Sequence, residues 1–329
     1  MYRDHTVGVV VPAYNEAGFV GEVIDTMPEF VDRVYAVDDR STDGTWTEIR
    51  EHAAAANASG DTETDGGRAA MVAPGEGDEV TQPETAPDRV VPIRNPENRG
   101  VGGTVVTGYR RALEDGVDVV AVMNGDGQMD PDVLDEILDP VVEGRAGFAK
   151  GNRLGTGRDR EKMPLWRTFG NSLLTVLTRM ASGYWEMTDP MDGYTAISRE
   201  ALASIDLDAV YTEFGFCNDM LAKLGRHDVT VVDVPHSAEY GDEESSINYR
   251  RFITTVSPLL ARHYFDRLRR EYVVDEFHPL VVLYPLAAVV GGAGLVSALR
   301  EEDGNALVLL AVSALSVVLA TVFDREAGR

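Results

Sequence analysis

The chain has 329 residues, which is enough for one α/β domain with additions or for two small domains. Its 55 acidic and 30 basic side chains give a net charge of −25, and so acidic a surface excludes nucleic acid as a partner. The single cysteine, Cys217, excludes an intrachain disulfide and a cysteine zinc site. Because the acid excess runs along the whole chain, and molar salt screens such repulsion, the composition predicts a halophilic, haloarchaeal source.

Strand and helix patterns alternate through the first 143 residues. Short apolar runs predict strands at residues 7–11, 34–37, 90–93 and 117–123. Helical spacing of apolar residues predicts helices at residues 17–30, 45–56, about 104–115 and 131–143. This order predicts an α/β fold with a parallel, Rossmann-like, doubly wound sheet. Residues 58–88 break the rhythm, because they are rich in Gly, Ala, Thr, Asp, Glu and Pro, and they predict an acidic, disordered insertion.

The second half of the chain carries signs of a membrane. Residues 164–182 have apolar side chains at helical spacing and basic flanks, which is typical of a helix on a membrane surface or packed on a core. Two uncharged runs, 279–299 and 306–323, would span roughly 31 and 27 Å as helices, close to a bilayer core of about 30 Å. They predict a transmembrane hairpin at residues 279–323, after a catalytic domain at 1–250 and an amphipathic, juxtamembrane linker at 251–278.

Arginines precede the hairpin, and the positive-inside rule therefore places that side of the membrane in the cytoplasm. The first ten residues contain no apolar run of signal-peptide length. We therefore expect a multi-pass protein of the cell membrane, with two helices in the lipid bilayer and a cytoplasmic catalytic domain.

Polar loops follow three of the predicted strands, at residues 12–16, 38–44 and 124–128. In an open parallel sheet, ligands bind beyond the carboxyl ends of the strands. Carboxylates at a place that binds phosphate require a cation between them, and oxygen ligands of this kind suit Mg²⁺ or Mn²⁺. The loops therefore predict a site for a diphosphate with a divalent ion, which would act as a Lewis acid on the leaving oxygens.

The motifs in these loops resemble those of glycosyltransferase family 2. Residues 10–16 (VVPAYNE), 37–45 (VDDRSTDGT), 98–103 (NRGVGG) and 124–128 (NGDGQ) are similar to its first four motifs. Residues 151–153 (GNR), 167–171 (RTFGN) and 189–194 (DPMDGY) look like the dolichyl-phosphate mannose and glucose synthase branch. The resemblance covers residue 7 to about residue 272, without the insertion, and it is more specific for fold and reaction than for the sugar.

The resemblance implies a GT-A-type fold and an inverting enzyme that moves a sugar from a UDP- or GDP-linked nucleotide-sugar to a polyprenyl (dolichyl) phosphate. Such a product would serve N-glycan or surface-glycan assembly. The resemblance implies donor contacts by Pro12, Tyr14, Glu16, Asp39 and Asn124, and metal ligation by Asp126 and Gln128. It implies acceptor-phosphate contacts by Arg153, Arg167 and Asn171, and it gives catalytic roles to Asp126, Arg153 and Asp189, the last near the sugar as a positioning group or base.

Three positions depart from the family pattern. Asn124 stands where Asp is usual, so we expect a weaker but functional metal site, and Arg40 stands where Gly is frequent. Asn171 replaces a common Ser and can still donate a hydrogen bond to phosphate. Arg167 and Asn171 are four residues apart and therefore share a helix face.

Alternative functions remain open at this point. The same chemistry could act on a glycan or a lipid-linked oligosaccharide, and a decayed transferase could serve as a noncatalytic membrane scaffold. A dinucleotide-dependent oxidoreductase is disfavoured, because Val105 occupies the third glycine position of the required motif.

Overall fold

The computed structural model describes residues 1–64, 88–153, 165–236, 249–275, 280–299 and 305–327. The chain forms two compact units. The first comprises Met1–Thr156, Asp192–Phe216 and Thr230–Ser245, and the second comprises Gly157–Met191, Cys217–Val229 and Ser246–Arg329. Residues 65–87 of the predicted insertion lie outside the described residues, whereas residues 58–64 continue a helix.

All strands of the described chain belong to one sheet in the first unit. They are β1 (Val7–Ala13), β2 (Arg33–Asp38), β3 (Val90–Arg94), β4 (Val119–Val122), β5 (Phe148–Asn152), β6 (Thr195–Ser198) and β7 (Val231–Pro235). The strand order is β3-β2-β1-β4-β6-β5-β7. β1 pairs in parallel with β2 and β4, and β2 pairs in parallel with β3. The carboxyl ends of these four strands therefore share one edge of the sheet.

Ten α-helices lie within the described residues. They are α1 (Val20–Asp25), α2 (Thr45–Thr64), α3 (Gly100–Glu114), α4 (Leu134–Val142), α5 (Leu165–Ser182), α6 (Arg199–Ala203), α7 (Phe216–Arg226), α8 (Tyr249–Arg269), α9 (Leu280–Leu299) and α10 (Asn305–Ala327). A 3-10 turn at Pro131–Val133 precedes α4, and a π-helical segment at Arg270–Asp275 follows α8. Every strand and helix predicted in the first 143 residues is present, with different ends.

The start of α3 differs from the prediction, because the helix begins at Gly100 and not near residue 104. Glycines are poor helix formers, and this is why the sequence pattern placed the start too late. Here the helix passes against another backbone segment, because Gly102 N donates to Thr212 O at 2.8 Å. A Cβ atom at Gly102 would lie 2.4 Å from Tyr211 O, so close approach of the two segments requires glycine.

The prediction of an all-parallel sheet is wrong in one respect. β6 runs antiparallel to both of its neighbours, β4 and β5, so the sheet is mixed. A parallel β5–β6 connection would need a crossover helix packed on the sheet. The intervening α5 instead packs against α8 in the second unit, through Leu174, Ala181, Val256 and Leu260.

The core of the first unit explains why its strands were easy to predict. Val9 and Val11 of β1, Ile49 of α2 and Leu138 of α4 are fully buried in one cluster. Strands that are covered on both faces read as nearly continuous apolar runs, and β1, β2 and β4 do so. This packing fixes the strand ends from which the polar loops emerge.

The second unit contains α9 and α10, which pack together: Ser313 Oγ donates to Ala287 O at 2.8 Å. Among the described residues, one helix is long and apolar enough to cross a membrane, Leu307–Glu326, with a mean hydropathy of 2.4. Val282–Ala298 of α9 is a shorter apolar stretch. One candidate span therefore supports membrane association, and the second predicted span stays a prediction.

Candidate functional site

The loops after β1 and β2 are tied to each other by side chains. Asn15 N donates to Ser41 Oγ at 3.0 Å, and Thr42 N donates to Asn15 Oδ1 at 2.9 Å. Asn15 and Arg40 have φ values of 58° and 66°, in the left-handed region. This explains why glycine is frequent at the position of Arg40, since a side chain there costs roughly 1–2 kcal/mol. The two loops, joined by these hydrogen bonds, form one platform at the sheet edge.

The two carboxylates that end β2 lie inside this platform. Asp38 is fully buried, and its Oδ2 forms an ion pair with Arg94 Nε at 2.8 Å. Asp39 Oδ1 accepts hydrogen bonds from Asn95 Nδ2 and Arg99 N, both at 2.8 Å. Asp39 thereby holds the start of α3 beside the platform, and its contact with the donor nucleoside stays a prediction.

The loop after β4 packs against the end of β1. Gly125 N donates to Pro12 O at 3.1 Å, and a Cβ atom at Gly125 would lie only 3.2 Å from that oxygen. Gln128 N donates to Asp126 Oδ1 at 3.0 Å, which closes a tight turn over Gly127 with φ 74°. The sheet thus brings Asp126 and Gln128 to the edge that carries Pro12.

The side chains of this loop fit a hard divalent cation. Asp126 offers a carboxylate, and Asn124 and Gln128 offer carboxamide oxygens, which are donors that Mg²⁺ and Mn²⁺ accept. A side chain at Gly127 would meet no described atom within 4 Å, so the turn borders open space. No group of three or more His, Cys, Asp and Glu residues that could hold a metal occurs in the described part of the chain. A metal here would therefore depend on ligands from the substrate diphosphate as well.

A second polar cluster, the Asp192 cluster, lies at the end of β5 and consists of Lys150, Arg153, Asp192 and His236. Asp192 Oδ2 lies 2.7 Å from His236 Nε2 and 3.6 Å from Arg153 Nε. Because a carboxylate only accepts, His236 Nε2–H is the donor. Lys150 is almost fully buried, and its Nζ donates to Gly151 O at 2.9 Å. Arg153 is thus fixed on one side by a buried carboxylate.

Gly151 makes the Asp192 cluster possible. A Cβ atom there would lie 2.5 Å from His236 Nε2 and 2.6 Å from Asp192 Oδ2, so no larger residue fits. Burial raises the pKa of Asp192, but the hydrogen bond from His236 and the charges of Arg153 and Lys150 outweigh it and lower that pKa below its ordinary value. Asp192 is therefore an anion at neutral pH.

The acceptor residues predicted from the sequence fall in both units. Arg153 belongs to the first unit, and the backbones of Arg167 and Asn171 belong to α5 in the second. The side chains of Arg167 and Asn171 lie outside the described residues. Asp189 is 5 % exposed, and its Oδ1 accepts from Met191 N at 3.4 Å.

The family of the chain follows from a direct match. The family model described as Glycosyl transferase family 2 matches residues 8–62 and 78–206, which is more than half of the chain. The chain belongs to glycosyl transferase family 2. The resemblance seen in its loop motifs is thereby confirmed, and the chain is a glycosyltransferase.

Two curated relatives of this family 2 enzyme cover most of its length. A UDP-N-acetylglucosamine–dolichyl-phosphate N-acetylglucosaminyltransferase from Methanococcus voltae is 24 % identical over 72 % of this chain and 87 % of its own. A polyprenol monophosphomannose synthase from Mycolicibacterium smegmatis is 28 % identical over 79 % of this chain and 89 % of its own.

A solved structure shows the fold. Glucosyl-3-phosphoglycerate synthase from Mycobacterium tuberculosis, in complex with Mn²⁺, UDP and phosphoglyceric acid, superposes with a TM-score of 0.53. The match covers 80 % of this chain and 78 % of that chain at 16 % identity. The glycosyltransferase therefore has the expected GT-A-type fold, built on a mixed sheet.

The structure gathers at one sheet edge the predicted donor and metal residues of the glycosyltransferase: Pro12, Tyr14, Glu16, Asp39, Asn124, Asp126 and Gln128. The roles of these residues stay predictions. Sequence reasoning missed Lys150, Asp192 and His236, although Asp192 lies inside the motif at residues 189–194, because His236 is 44 residues away. The glycine at position 151, within the motif at residues 151–153, was a local signal of a close approach, and the structure shows that Asp192 and His236 make it.

Proposed function

We propose that this glycosyltransferase moves a hexose from a UDP- or GDP-linked donor to a polyprenyl (dolichyl) phosphate, with inversion, at the cytoplasmic face of the cell membrane. One observation carries the proposal. A family 2 sheet and an apolar helix, Leu307–Glu326, occur in the same chain, and relatives named for polyprenyl-phosphate acceptors match about three quarters of it. The two parts together suit an enzyme that acts on a lipid phosphate.

The donor would bind at the platform formed by the loops after β1 and β2. Pro12, Glu16, Asp39 and Asn124 would hold the nucleoside, and the ring of Tyr14, which is 46 % exposed, offers a face for stacking. Asp126 and Gln128 would hold Mg²⁺ or Mn²⁺, which when bound neutralises charge on the departing diphosphate. The solved structure that holds Mn²⁺ together with UDP supports the presence of a divalent ion beside the donor.

The acceptor phosphate would be the nucleophile. Its second pKa is about 6, so it is largely a dianion at neutral pH and needs orientation more than deprotonation. Arg153, Arg167 and Asn171 would bind its oxygens, because guanidinium groups form paired hydrogen bonds with phosphate. One phosphate oxygen attacks the anomeric carbon in line, the bond to the diphosphate breaks, and the nucleoside diphosphate leaves. Asp189 would position the sugar.

The membrane part would hold the enzyme where its acceptor resides. Residues 279–323 would form a two-helix hairpin, preceded by a juxtamembrane linker at 251–278 and a catalytic domain at 1–250. The packing of α9 against α10 supports a hairpin, because the two helices are antiparallel neighbours joined by a short connection. The lipid-linked sugar would then feed N-glycan or surface-glycan assembly.

Replacement of Arg167 by alanine is expected to raise the KM for polyprenyl phosphate by about tenfold to a hundredfold. The KM for the nucleotide-sugar should stay within about twofold, because the donor platform lies elsewhere in the sequence. The KM of Arg167→Lys for polyprenyl phosphate should lie between the values of the wild type and of Arg167→Ala, since lysine keeps the charge and loses the paired hydrogen bonds. Steady-state kinetics with each substrate varied would show this, with Arg50→Ala as a surface control. Equal increases for both substrates would contradict the role of Arg167.

The proposed function is tested by an acceptor competition. Purified full-length chain is given a panel of UDP- and GDP-sugars with Mn²⁺ or Mg²⁺, a short polyprenyl phosphate and a lipid-linked oligosaccharide, and products are read by mass spectrometry. We expect one hexose on the monophosphate lipid. Transfer only to the oligosaccharide would establish the alternative acceptor, and no turnover with any donor would favour a noncatalytic scaffold.

A further inference from the structure

The end of α8 and the segment that follows it contact both apolar helices of the second unit. Arg267 and Tyr272 both donate to the buried carboxylate of Asp324, near the end of α10. Leu268, Tyr272 and Ala320 form a buried cluster with Leu283 and Tyr284 at the start of α9. The end of α8 therefore lies at the level where α9 begins and α10 ends.

A basic cavity opens beside this same stretch of helix. It has a volume of about 320 Å³ and is lined by Arg226, Asp266, Arg269 and Arg270. Three guanidinium groups against one carboxylate give the lining a net positive charge, in a protein whose net charge is −25. We call it the arginine cavity. Positive charge concentrated at one point of so acidic a chain indicates a binding site for an anion.

Two of the three arginines of the arginine cavity, Arg226 and Arg270, are held in place by contacts within the protein. Arg226 Nη2 donates to Asp266 Oδ2 at 2.7 Å and lies 3.3 Å from His263 Nδ1. His263 is itself buried, with Nε2 2.5 Å from Asp219 Oδ1. Arg270 Nη1 donates to Arg226 O at 2.6 Å. These contacts leave less side-chain entropy to lose when an anion binds.

The balance of charge within the cavity singles out Arg269. Asp266 offsets Arg226, and Glu271 lies 3.8 Å from Arg270, whereas Arg269 is exposed and has no ion-pair partner among the described residues. Phe265 is one helical turn before Arg269 on the same face and is 64 % exposed. An exposed aromatic ring next to arginines is typical of a helix that touches the lipid headgroup region.

We infer that the arginine cavity binds the phosphate of an anionic phospholipid in the cytoplasmic leaflet. The inference rests on the membrane location given under the proposed function, and it adds a lipid that is neither donor nor acceptor. The bilayer is the source of the anion because Arg267, Leu268 and Tyr272, which neighbour the cavity residues in sequence, contact α9 and α10. Phe265 would supply an apolar contact for an acyl chain. Arg269 would donate to the phosphate, with Arg226 and Arg270 beside it.

The experiment uses the full-length chain in a neutral detergent. Phosphatidylglycerol and phosphatidylcholine with identical acyl chains are titrated separately, and native mass spectrometry measures the bound fraction of each. We expect phosphatidylglycerol to bind more tightly than phosphatidylcholine. Arg269→Gln should weaken phosphatidylglycerol binding by about tenfold, the loss of a charge-assisted hydrogen bond. Arg262→Gln is the matched control, because it removes the same charge from the same helix, is 82 % exposed and does not line the cavity.

Three results would overturn the inference: equal binding of the two phospholipids, equal weakening by Arg269→Gln and Arg262→Gln, or displacement of phosphatidylglycerol by equimolar polyprenyl phosphate. The last would make the cavity an acceptor site. A different measurement tests the proposed function: absence of sugar transfer by the wild-type chain would contradict it. That result, with selective binding of phosphatidylglycerol intact, would refute the transfer reaction and not the lipid site.

Discussion

Asp126→Asn is expected to lower the rate of sugar transfer by about a thousandfold while the chain stays folded. Asp126 supplies the one carboxylate in the turn between Asn124 and Gln128, so its replacement removes the negative charge that a divalent ion needs most. Asparagine keeps an oxygen that can accept from Gln128 N, the hydrogen bond that closes this turn at 3.0 Å. The loss should therefore be chemical and not structural.

The turnover rate at saturating metal and the thermal unfolding midpoint together check this prediction. Asp130→Asn is the matched control, because Asp130 lies in the same loop and caps the turn before α4 by accepting from Asp132 N at 2.9 Å. The control should retain transfer within about threefold, since asparagine caps helices as well as aspartate does. Near-normal transfer by Asp126→Asn at saturating metal would remove Asp126 from the metal site.

Asp192→Ala is expected to produce the largest loss of stability, about 3 kcal/mol in the first unit. Asp192 is 2 % exposed, and its carboxylate contacts His236 and Arg153 while the ammonium of Lys150 adds charge nearby. Removing the carboxylate leaves positive and polar groups buried without their main partner. Because these groups join the ends of β5 and β7 to the segment before β6, the loss should be local to that side of the sheet.

Hydrogen exchange measured by mass spectrometry reports this local stability. We expect amide protection in β5 and β7 to fall by about a hundredfold in Asp192→Ala, and by less in Asp192→Asn, whose amide oxygen still accepts from His236. Asp208→Ala is the control, because that side chain is 91 % exposed and its ion pair with Arg110 is on the surface. Unchanged protection in Asp192→Ala would show that the Asp192 cluster does not hold this side of the sheet together.

The pH dependence of this contribution has a definite sign. The pKa of Asp192 is lower in the folded chain than its ordinary value, so the stabilisation is present above the ordinary pKa of about 4. It is lost as the pH falls through the depressed value. Asp192 stays ionised between about pH 5 and pH 7. The amide protection of β5 against hydrogen exchange, corrected for the intrinsic exchange rate, should therefore show no loss from Asp192 in this range.

The first half of the fold could be predicted because local sequence determines it. β1, β2 and β4 are buried on both faces and therefore read as nearly unbroken apolar runs. The loops after them contain turn-forming and acidic residues, which predict a ligand site at that edge of the sheet. The family motifs are short and contiguous, so they identify the reaction without knowledge of the packing. The positions of Asp126 and Gln128 followed directly from this.

The second half of the sheet could not be predicted in the same way. β5 ends in Lys150, Gly151 and Asn152, which are poor strand formers by pattern and are nevertheless buried. Two contacts with distant segments accompany this burial: Gly151 N donates to Tyr194 O, and Lys150 Nζ lies 3.7 Å from Asp233 Oδ1. His236 and Asp192 meet only through the tertiary fold. The reversed direction of β6 depends on where α5 packs. The strand itself has only four residues, and their pattern carries no information on strand direction.

Phosphorus NMR of the lipid product tests the central claim most directly, namely that the acceptor phosphate is the nucleophile. With the correct donor and a divalent ion, we predict that the monoester signal of polyprenyl phosphate, which titrates near pH 6, is replaced by a phosphodiester signal that does not. One phosphodiester should appear for each sugar consumed. A sugar-bearing lipid whose phosphate still titrates as a monoester would contradict the account, because the sugar would then be attached elsewhere.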